Sequence, residues 1–161
     1  MKKKQKGFSL IELLIVVAII LIIAAIAIPN LLRARMAANE SSAVGSLRTI
    51  VTGEFNFQQN YGIGYAPLAN LGGANPCVAS TGSACLIDNV LALGTKSGYT
   101  IATPTPAALG TAVAPDNAFT ATAVPSSIGQ TGQRGFFTDQ SGVIRFTTNG
   151  TAPTNLSPAI Q

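Results

Sequence analysis

The sequence predicts an α+β protein in which a long N-terminal helix packs on a C-terminal antiparallel sheet. Residues 8–28 form an unbroken apolar run in which Ser9 and Glu12 are the only polar side chains. A weaker helical pattern continues over residues 29–60, and short strand-like segments separated by turn residues and prolines fill much of residues 61–161. A helix followed by a run of strands is typical of the α+β class.

Charge and composition argue against several classes of function. Four of the ten Lys and Arg residues lie in the first seven positions, and the other six are balanced by six Asp and Glu. The basic net charge therefore indicates a tail beside a membrane, and we do not expect nucleic-acid binding. The chain has no His, the commonest general base and an important metal ligand. We identify no catalytic constellation and expect no enzymatic activity, no cofactor and no metal site.

The apolar run is long enough to cross a bilayer. As a helix, residues 8–28 extend roughly 32 Å, which is close to the ~30 Å thickness of the hydrocarbon core. The lysines before the run are expected to stay in the cytoplasm, and the chain after Pro29 to lie outside it. A cleaved secretory signal is the alternative, but its apolar region spans only about 7–15 residues.

Glu12 is an unusual residue in such a run. An acidic group inside a spanning helix costs on the order of 3 kcal/mol, and such groups are usually paired. The apolar helix supplies no cation within reach of Glu12. Its partner is therefore the lysine tail, a new N-terminus or another chain. Alternatively, Glu12 extends to the cytoplasmic interface without a specific partner.

The N-terminal segment resembles the processing signal of type IV prepilins and type II secretion pseudopilins in the residues KGFSLIELLIVVAII. In that family a membrane peptidase cuts after the glycine and methylates the new N-terminal amine. The resemblance implies that residues 1–7 are a leader, that cleavage falls between Gly7 and Phe8, and that Phe8 becomes N-methylated. It also implies a role in subunit assembly for Glu12, which pairs with the Phe8 amine of a neighbouring subunit.

The same resemblance implies a fold, a function and a location. The implied fold is the pilin fold, in which the apolar half of the helix protrudes from the domain. The implied function is that of a structural subunit in a type IV pilus, a homo-oligomeric helical filament. The implied partners are a prepilin peptidase, an inner-membrane assembly platform and the membrane. The precursor would reside in the bacterial inner membrane, and the assembled subunit in an extracellular pilus.

Two alternatives to a pilus subunit remain open at this point. One is a pseudopilin of a type II secretion system, which would assemble into a periplasmic pseudopilus. The other is a singly anchored membrane protein with a binding domain, which the cleavage motif argues against.

Pro29 lies where the apolar run ends. A proline inside a helix removes one hydrogen bond and clashes with the preceding turn, so we expect a kink or local unwinding here and not the end of the helix. Beyond it, an amphipathic helix over residues 29–60 has an apolar stripe in which Glu40 is allowed as a gap, and Glu54 lies between the stripe positions. The stripe consists of Met36, Val44, Leu47, Val51 and Phe55. Because Gly45 and Gly53 weaken this helix, it needs a sheet to pack against.

The arginines of this helix are expected to lie in an anionic environment. Arg33, Arg35 and Arg48 are expected to face lipid headgroups or acidic neighbours. A nucleic-acid surface is the alternative that we consider less favoured.

The segment after the long helix contains the two cysteines of the chain. Because Cys77 and Cys85 lie outside the cytoplasm in this topology, we expect a disulfide between them. The alternative is two free thiols. Residues 86–93 are predicted to form a short helix that ends at Gly94.

The remaining sequence predicts strands. They are residues 99–103, 118–124, 135–138 and 143–147. The sequence Asp-Gln-Ser-Gly at 139–142 is typical of a turn, so the last two strands should form a hairpin. This turn has too few acidic ligands for calcium. We expect the tail from Thr151 to be loosely packed.

Overall fold

A computed structural model describes residues 8–160 of the chain, and its architecture is α+β as predicted. The helices are α1 (Leu10–Tyr61), α2 (Leu68–Leu71) and α3 (Asn89–Ala92), and the strands are β1 (Thr95–Lys96), β2 (Tyr99–Thr105), β3 (Thr120–Pro125), β4 (Gly135–Asp139) and β5 (Arg145–Thr147). The chain divides into two compact units, with the boundary between Arg35 and Met36.

The first unit is the apolar part of α1. Within it, one 18-residue window has a mean hydropathy of 3.3, and none of that window is buried. By length and composition this helix can cross a membrane. The backbone stays helical through Pro29, as expected, while a kink at this proline stays a prediction.

The second unit packs the rest of α1 on the sheet. The helix contributes Ala43, Leu47, Ile50 and Phe57 to the hydrophobic core. The sheet contributes Tyr99, Ile101, Ala121, Ala123 and Phe136. In β3, alternate side chains face the core, which is the period of two that a half-buried strand requires.

The five strands form a single antiparallel sheet in sequential order from β1 to β5. Phe136 in β4 lies opposite Ala123 on one side and Phe146 on the other. Such directly opposed side chains are the pairs that stabilise a sheet. Ala123 and Phe136 belong to the hydrophobic core, and Phe146 packs against it.

The predicted strands are confirmed, with three differences in the neighbouring elements. β1 and α2 were not predicted. The predicted helix over residues 86–93 is confirmed only for its second half, because the backbone N–H groups of Leu86 and Ile87 donate to the carbonyl of Leu71 instead. α3 begins after Asp88, whose Oδ1 accepts the backbone N–H of Leu91 as an N-cap.

The buried face of α1 differs from the predicted stripe. Among the stripe residues only Leu47 is fully buried, and the other four are half-buried. Glu40, which was allowed as a gap in the stripe, and Glu54, which was placed between stripe positions, are only 8% and 0% exposed. Their burial was not predicted, and it is possible because backbone N–H groups of the segments packed on α1 donate to both carboxylates.

The prediction of a loosely packed tail was also wrong. The backbone N–H of Phe146 donates to the carbonyl of Pro158, and the N–H of Ile160 donates to the carbonyl of Ile144. An edge strand such as β5 leaves its outer backbone groups unpaired unless another segment covers them. The tail satisfies those groups and so becomes part of the sheet.

Candidate functional site

The predicted assembly residues lie at the start of α1. Gly7, the predicted cleavage residue, lies outside the described residues. Phe8 is 84% exposed. Oε2 of Glu12 accepts the backbone N–H of Ser9 at 2.9 Å.

Ser9 and Glu12 therefore form one half of a capping box. Ser9 precedes the first helical residue, and the carbonyl of Ser9 accepts the backbone N–H of Leu13 at 3.3 Å. Glu12 satisfies a backbone donor that a helix start would otherwise leave without a partner. The sequence signal Ser-x-x-Glu was present and could have predicted this contact.

The capping contact holds the Glu12 carboxylate close to the predicted new N-terminus. The donor is the backbone N–H of Ser9, the residue directly after Phe8. Between Glu12 and Arg33 the helix has no charged side chain. These two residues are about 30 Å apart along the helix axis. A cation for Glu12 must therefore come from the N-terminal side or from another chain.

In the second unit, Glu40 joins α1 to the segment before β4. Oε1 of Glu40 accepts the backbone N–H groups of Gln133 (2.9 Å) and Arg134 (3.1 Å), and Oε2 accepts Nε of Arg134 at 2.7 Å. Burial opposes ionisation of Glu40, but these donors outweigh it and hold the pKa of the carboxyl below its usual value. The Arg134 guanidinium also lies 5.5 and 5.8 Å from the ring centroids of Phe136 and Phe146.

Two neighbouring side chains of α1 add polar contacts. Nδ2 of Asn39 donates to the carbonyl of Thr131 at 2.8 Å, and Oγ of Ser42 donates to Oγ of Ser97 at 2.9 Å. Together with Glu40, these residues form one helical turn that fixes how this part of α1 lies on the sheet.

Glu54 is the second buried carboxylate and has a different environment. Oε2 of Glu54 accepts the backbone N–H of Ala66 at 2.8 Å, while Oε1 has no hydrogen-bond partner among the described residues. Burial raises the pKa of Glu54 to about 7, although the Ala66 N–H acts in the opposite direction. Burial and the nearby Glu54 charge raise the pKa of Tyr65. Within residues 8–160, no group of three or more His, Cys, Asp or Glu side chains could hold a metal ion.

The predicted disulfide is confirmed. Cys77 and Cys85 are joined, with their Cα atoms 6.1 Å apart. Ser80 and Ser83 exchange backbone hydrogen bonds across the loop that the disulfide closes. A side chain at Gly73 would overlap Sγ of Cys77, so the loop packs closely on the backbone at that glycine.

Comparison with known proteins adds to this geometry. A family profile described as the prokaryotic N-terminal methylation motif matches residues 2–28. The chain is 51% identical over 61 residues to the type IV wide pilus major component PilA4 of Thermus thermophilus, a match that covers 38% of this chain and 44% of that protein. No solved structure matches the chain with significance.

Two further relatives have similar names. The chain is 46% identical over 54 residues to the type IV major pilin protein PilA of Myxococcus xanthus, covering 34% of this chain and 24% of that protein. It is 52% identical over 54 residues to the type IV major fimbrial protein FimA of Dichelobacter nodosus, a match that covers 32% of this chain and 35% of that protein. The chain thus spans less than half the length of these relatives. In its N-terminal part, this chain is therefore similar to type IV major pilins and carries a sequence that matches the prokaryotic N-terminal methylation motif.

Proposed function

We propose that this chain is a structural subunit of a type IV pilus, assembled from the bacterial inner membrane by lateral packing of N-terminal helices. The observation that carries this proposal is the exposed apolar surface of α1. From Leu10 to Leu32 its large apolar side chains are 46–80% exposed. Removing such a side chain from water contributes about 1.5–3 kcal/mol, so this surface favours either a bilayer or neighbouring helices over water.

The proposal includes processing of the N-terminus. A prepilin peptidase removes residues 1–7, cuts between Gly7 and Phe8, and methylates the Phe8 amine. Residues 8–28 then form the membrane and filament-core helix, 29–60 the amphipathic helix with a kink at Pro29, and 61–161 the globular domain. The match of residues 2–28 to the methylation motif supports the N-terminal part of this division.

The proposal also gives Glu12 a partner. Cleavage creates a cation at Phe8, next to the backbone N–H that Glu12 already accepts. In the filament, Glu12 pairs with the Phe8 amine of a neighbouring subunit. The inner-membrane assembly platform and the peptidase are its other partners, and the role is structural and not enzymatic.

The location follows from the same proposal. The precursor is anchored in the inner membrane, and the assembled subunit is extracellular. The relatives described above are named as pilus or fimbrial components, which favours a pilus over a secretion pseudopilus.

The test is to express the full chain in a host that assembles type IV pili and to recover sheared surface filaments. Mass spectrometry should identify filament subunits that begin at Phe8 and carry one added methyl group. Filaments whose subunits begin at Met1 would contradict the proposed processing. Absence of this chain from surface filaments would contradict the pilus function itself.

A further inference from the structure

A groove on the second unit lies along one side of α1. It has a volume of about 330 Å³, and it is lined by Glu40, Ser41, Val44, Gly45, Arg48, Arg134 and Ile160. No atom lies within 4 Å of the position that a Cβ of Gly45 would occupy. The groove therefore combines apolar side chains and an open surface at Gly45 with two guanidinium groups, one of which is paired with the Glu40 carboxylate.

The two arginines leave donors available in this groove. Glu40 occupies only Nε and the backbone N–H of Arg134, and the Arg134 side chain remains 43% exposed. The aromatic rings beneath Arg134 hold its guanidinium in place. Arg48 is exposed and forms no ion pair with any described residue. Such a site fits a carboxylate carried beside an apolar side chain.

A loop between β2 and β3 carries an exposed apolar side chain, Val113, and a carboxylate, Asp116. Val113 is 96% exposed, the highest value among the exposed large apolar side chains of residues 8–160. The backbones of Thr111 and Ala114 exchange hydrogen bonds of 3.0 and 3.1 Å, which holds Val113 at the tip of a tight turn. The partly exposed carboxylate of Asp116 makes no hydrogen bond or ion pair with the described residues.

The loop and the groove of one chain do not pair with each other. Asp116 is held beside the last turns of α1, because its backbone N–H donates to the carbonyl of Ile63 and its carbonyl accepts the N–H of Tyr65, whose ring packs on Phe55. Arg48 lies seven residues before Phe55, about 10 Å along the helix at ~1.5 Å per residue. No ion pair joins Asp116 to Arg48 among the described residues, so both charges are available to a second copy.

We propose that the Thr111–Asp116 loop of one copy docks in this groove of another copy. Val113 contacts Val44 and the open surface at Gly45, and the Asp116 carboxylate binds Arg48 and Arg134. Because two different surfaces meet, the contact is heterologous and can repeat without limit along a filament. It offsets the two copies by about 10 Å along α1. This inference rests on the proposed pilus function.

Cysteine cross-linking tests the contact directly. The double variant Gly45→Cys with Val113→Cys places one thiol in the groove, where a Cβ meets no atom, and one at the exposed loop tip. Mild oxidation of membranes and of sheared filaments should give a ladder of dimers, trimers and longer species on non-reducing gels. Mass mapping should show an interchain disulfide between the thiols introduced at positions 45 and 113, with the Cys77–Cys85 disulfide retained.

The matched control replaces Val113→Cys by Leu93→Cys, at the end of α3 and away from the disulfide loop, where the leucine is 74% exposed. Gly45→Cys with Leu93→Cys should give no ladder. Equal ladders from both pairs would show random collisions and overturn the inference. Filaments that contain the Gly45→Cys, Val113→Cys variant but lack a disulfide between positions 45 and 113 would overturn it as well.

Charge reversal provides an independent test that needs no new thiol. Arg48→Asp and Asp116→Arg should each lower the yield of sheared filaments by about tenfold or more, because like charges placed together are strongly unfavourable at an interface. Combining the two substitutions should raise the yield clearly above that of either single variant, since positions 48 and 116 then regain opposite charges, while the unchanged Arg134 keeps the recovery incomplete.

The outcomes separate this inference from the proposed function. If the wild-type chain assembles but the single reversals are neutral, or the pair fails to raise the yield above that of the single variants, the docking contact is wrong and the pilus function stands. If the wild-type chain forms no filaments, the pilus function fails, and cross-linking in membranes alone decides the docking. Binding of duplex DNA that Arg48→Asp abolishes, without a disulfide between positions 45 and 113 of the double variant, would identify the groove as a polyanion site and overturn the inference.

Discussion

Two glutamates in α1 show how strongly the partners of a buried carboxylate determine its properties. Glu40 accepts two backbone donors and a guanidinium, whereas Glu54 accepts one backbone donor. Both are buried, yet the pKa of Glu40 lies below its usual value and that of Glu54 rises to about 7. Their effects on folding stability therefore fall in different pH ranges.

For Glu54 we predict that folding stability decreases as the pH rises. Its pKa is raised from an ordinary value of 4.5 to about 7, so the folded state binds the proton more tightly than the unfolded chain. The contribution is complete below about pH 4.5 and is lost by about pH 7, a change of roughly 3 kcal/mol. Glu54→Gln should remove this slope. The measurement is the unfolding midpoint of the detergent-solubilised full chain between about pH 5 and 8, followed by near-ultraviolet circular dichroism.

For Glu40 the pH dependence of folding stability has the opposite sign, and this distinguishes Glu40 from Glu54. Its lowered pKa gives stability that is present at neutral pH and lost as the pH falls below the unfolded value. A wild-type midpoint that stays constant or rises between about pH 5 and 7 would contradict the prediction for Glu54.

For Glu40 we predict that Glu40→Gln destabilises the domain by about 2 kcal/mol, because it weakens three hydrogen bonds to a buried charge and leaves Arg134 without its anion. The half-exposed Arg134 keeps the cost below that of a fully buried pair. The matched control is Asp88→Asn, which removes the exposed Asp88–Lys96 pair but keeps an N-cap. The control should cost less than about 1 kcal/mol in chemical denaturation, and equal losses from both variants would contradict the buried role of Glu40.

At the scale of elements, periodicity and turn chemistry predicted most of the sheet. The hairpin of β4 and β5 followed from the Asp-Gln-Ser-Gly turn, in which Oδ1 of Asp139 accepts the backbone N–H of Ser141. β1 and α2 are too short, at two and four residues, to show a period in the sequence. The packed tail could not be predicted because its partners are the backbone groups of β5, which no side-chain pattern identifies.

The same limit applies to the candidate site. Phe8 and Glu12 could be singled out from the apolar run and the motif, because a lone carboxylate among apolar residues is a strong signal. Glu40 and Glu54 could not, since a periodic pattern assigns charged residues to the exposed face. Their burial depends on donors that lie 93 and 12 residues away in the chain.

At the scale of elements, our prediction concerns the loop that the Cys77–Cys85 disulfide closes. Replacing both Cys77 and Cys85 by Ser should lower the free energy of unfolding by roughly 2–3 kcal/mol, the chain-entropy value for a loop of this length. Membrane insertion should be unchanged, because the apolar part of α1 is untouched. The measurement is chemical denaturation with a membrane-fractionation control. An unchanged free energy of unfolding would show that the hydrogen bonds of the loop hold it without the disulfide.

At the scale of the whole molecule, an apolar anchor with one carboxylate is joined to a domain with few charges. We predict that Glu12→Val inserts and is cleaved, because the helix becomes more apolar and the cleavage motif is intact. It should yield few filaments if Glu12 pairs with an amine of a neighbouring subunit. The measurement compares the processed mass in membranes with the yield of sheared filaments.

A second substitution separates the two roles of Glu12. Glu12→Gln retains an oxygen that can accept the Ser9 N–H but has no charge, so it preserves the cap and removes ion pairing. Both variants should assemble poorly if ion pairing matters. Normal filaments from Glu12→Gln together with poor assembly of Glu12→Val would instead assign Glu12 a capping role.

The tail that pairs along β5 also governs where the protein tolerates truncation and labelling. Deleting residues 157–160 would leave the backbone N–H of Phe146 and the carbonyl of Ile144 unpaired on an open strand. An open strand of this kind is a template for addition of a strand from another chain, so the shortened protein should precipitate through its sheet edge. A fluorophore or epitope is better placed at Thr81 or Gly82, which are exposed within the loop that the disulfide closes.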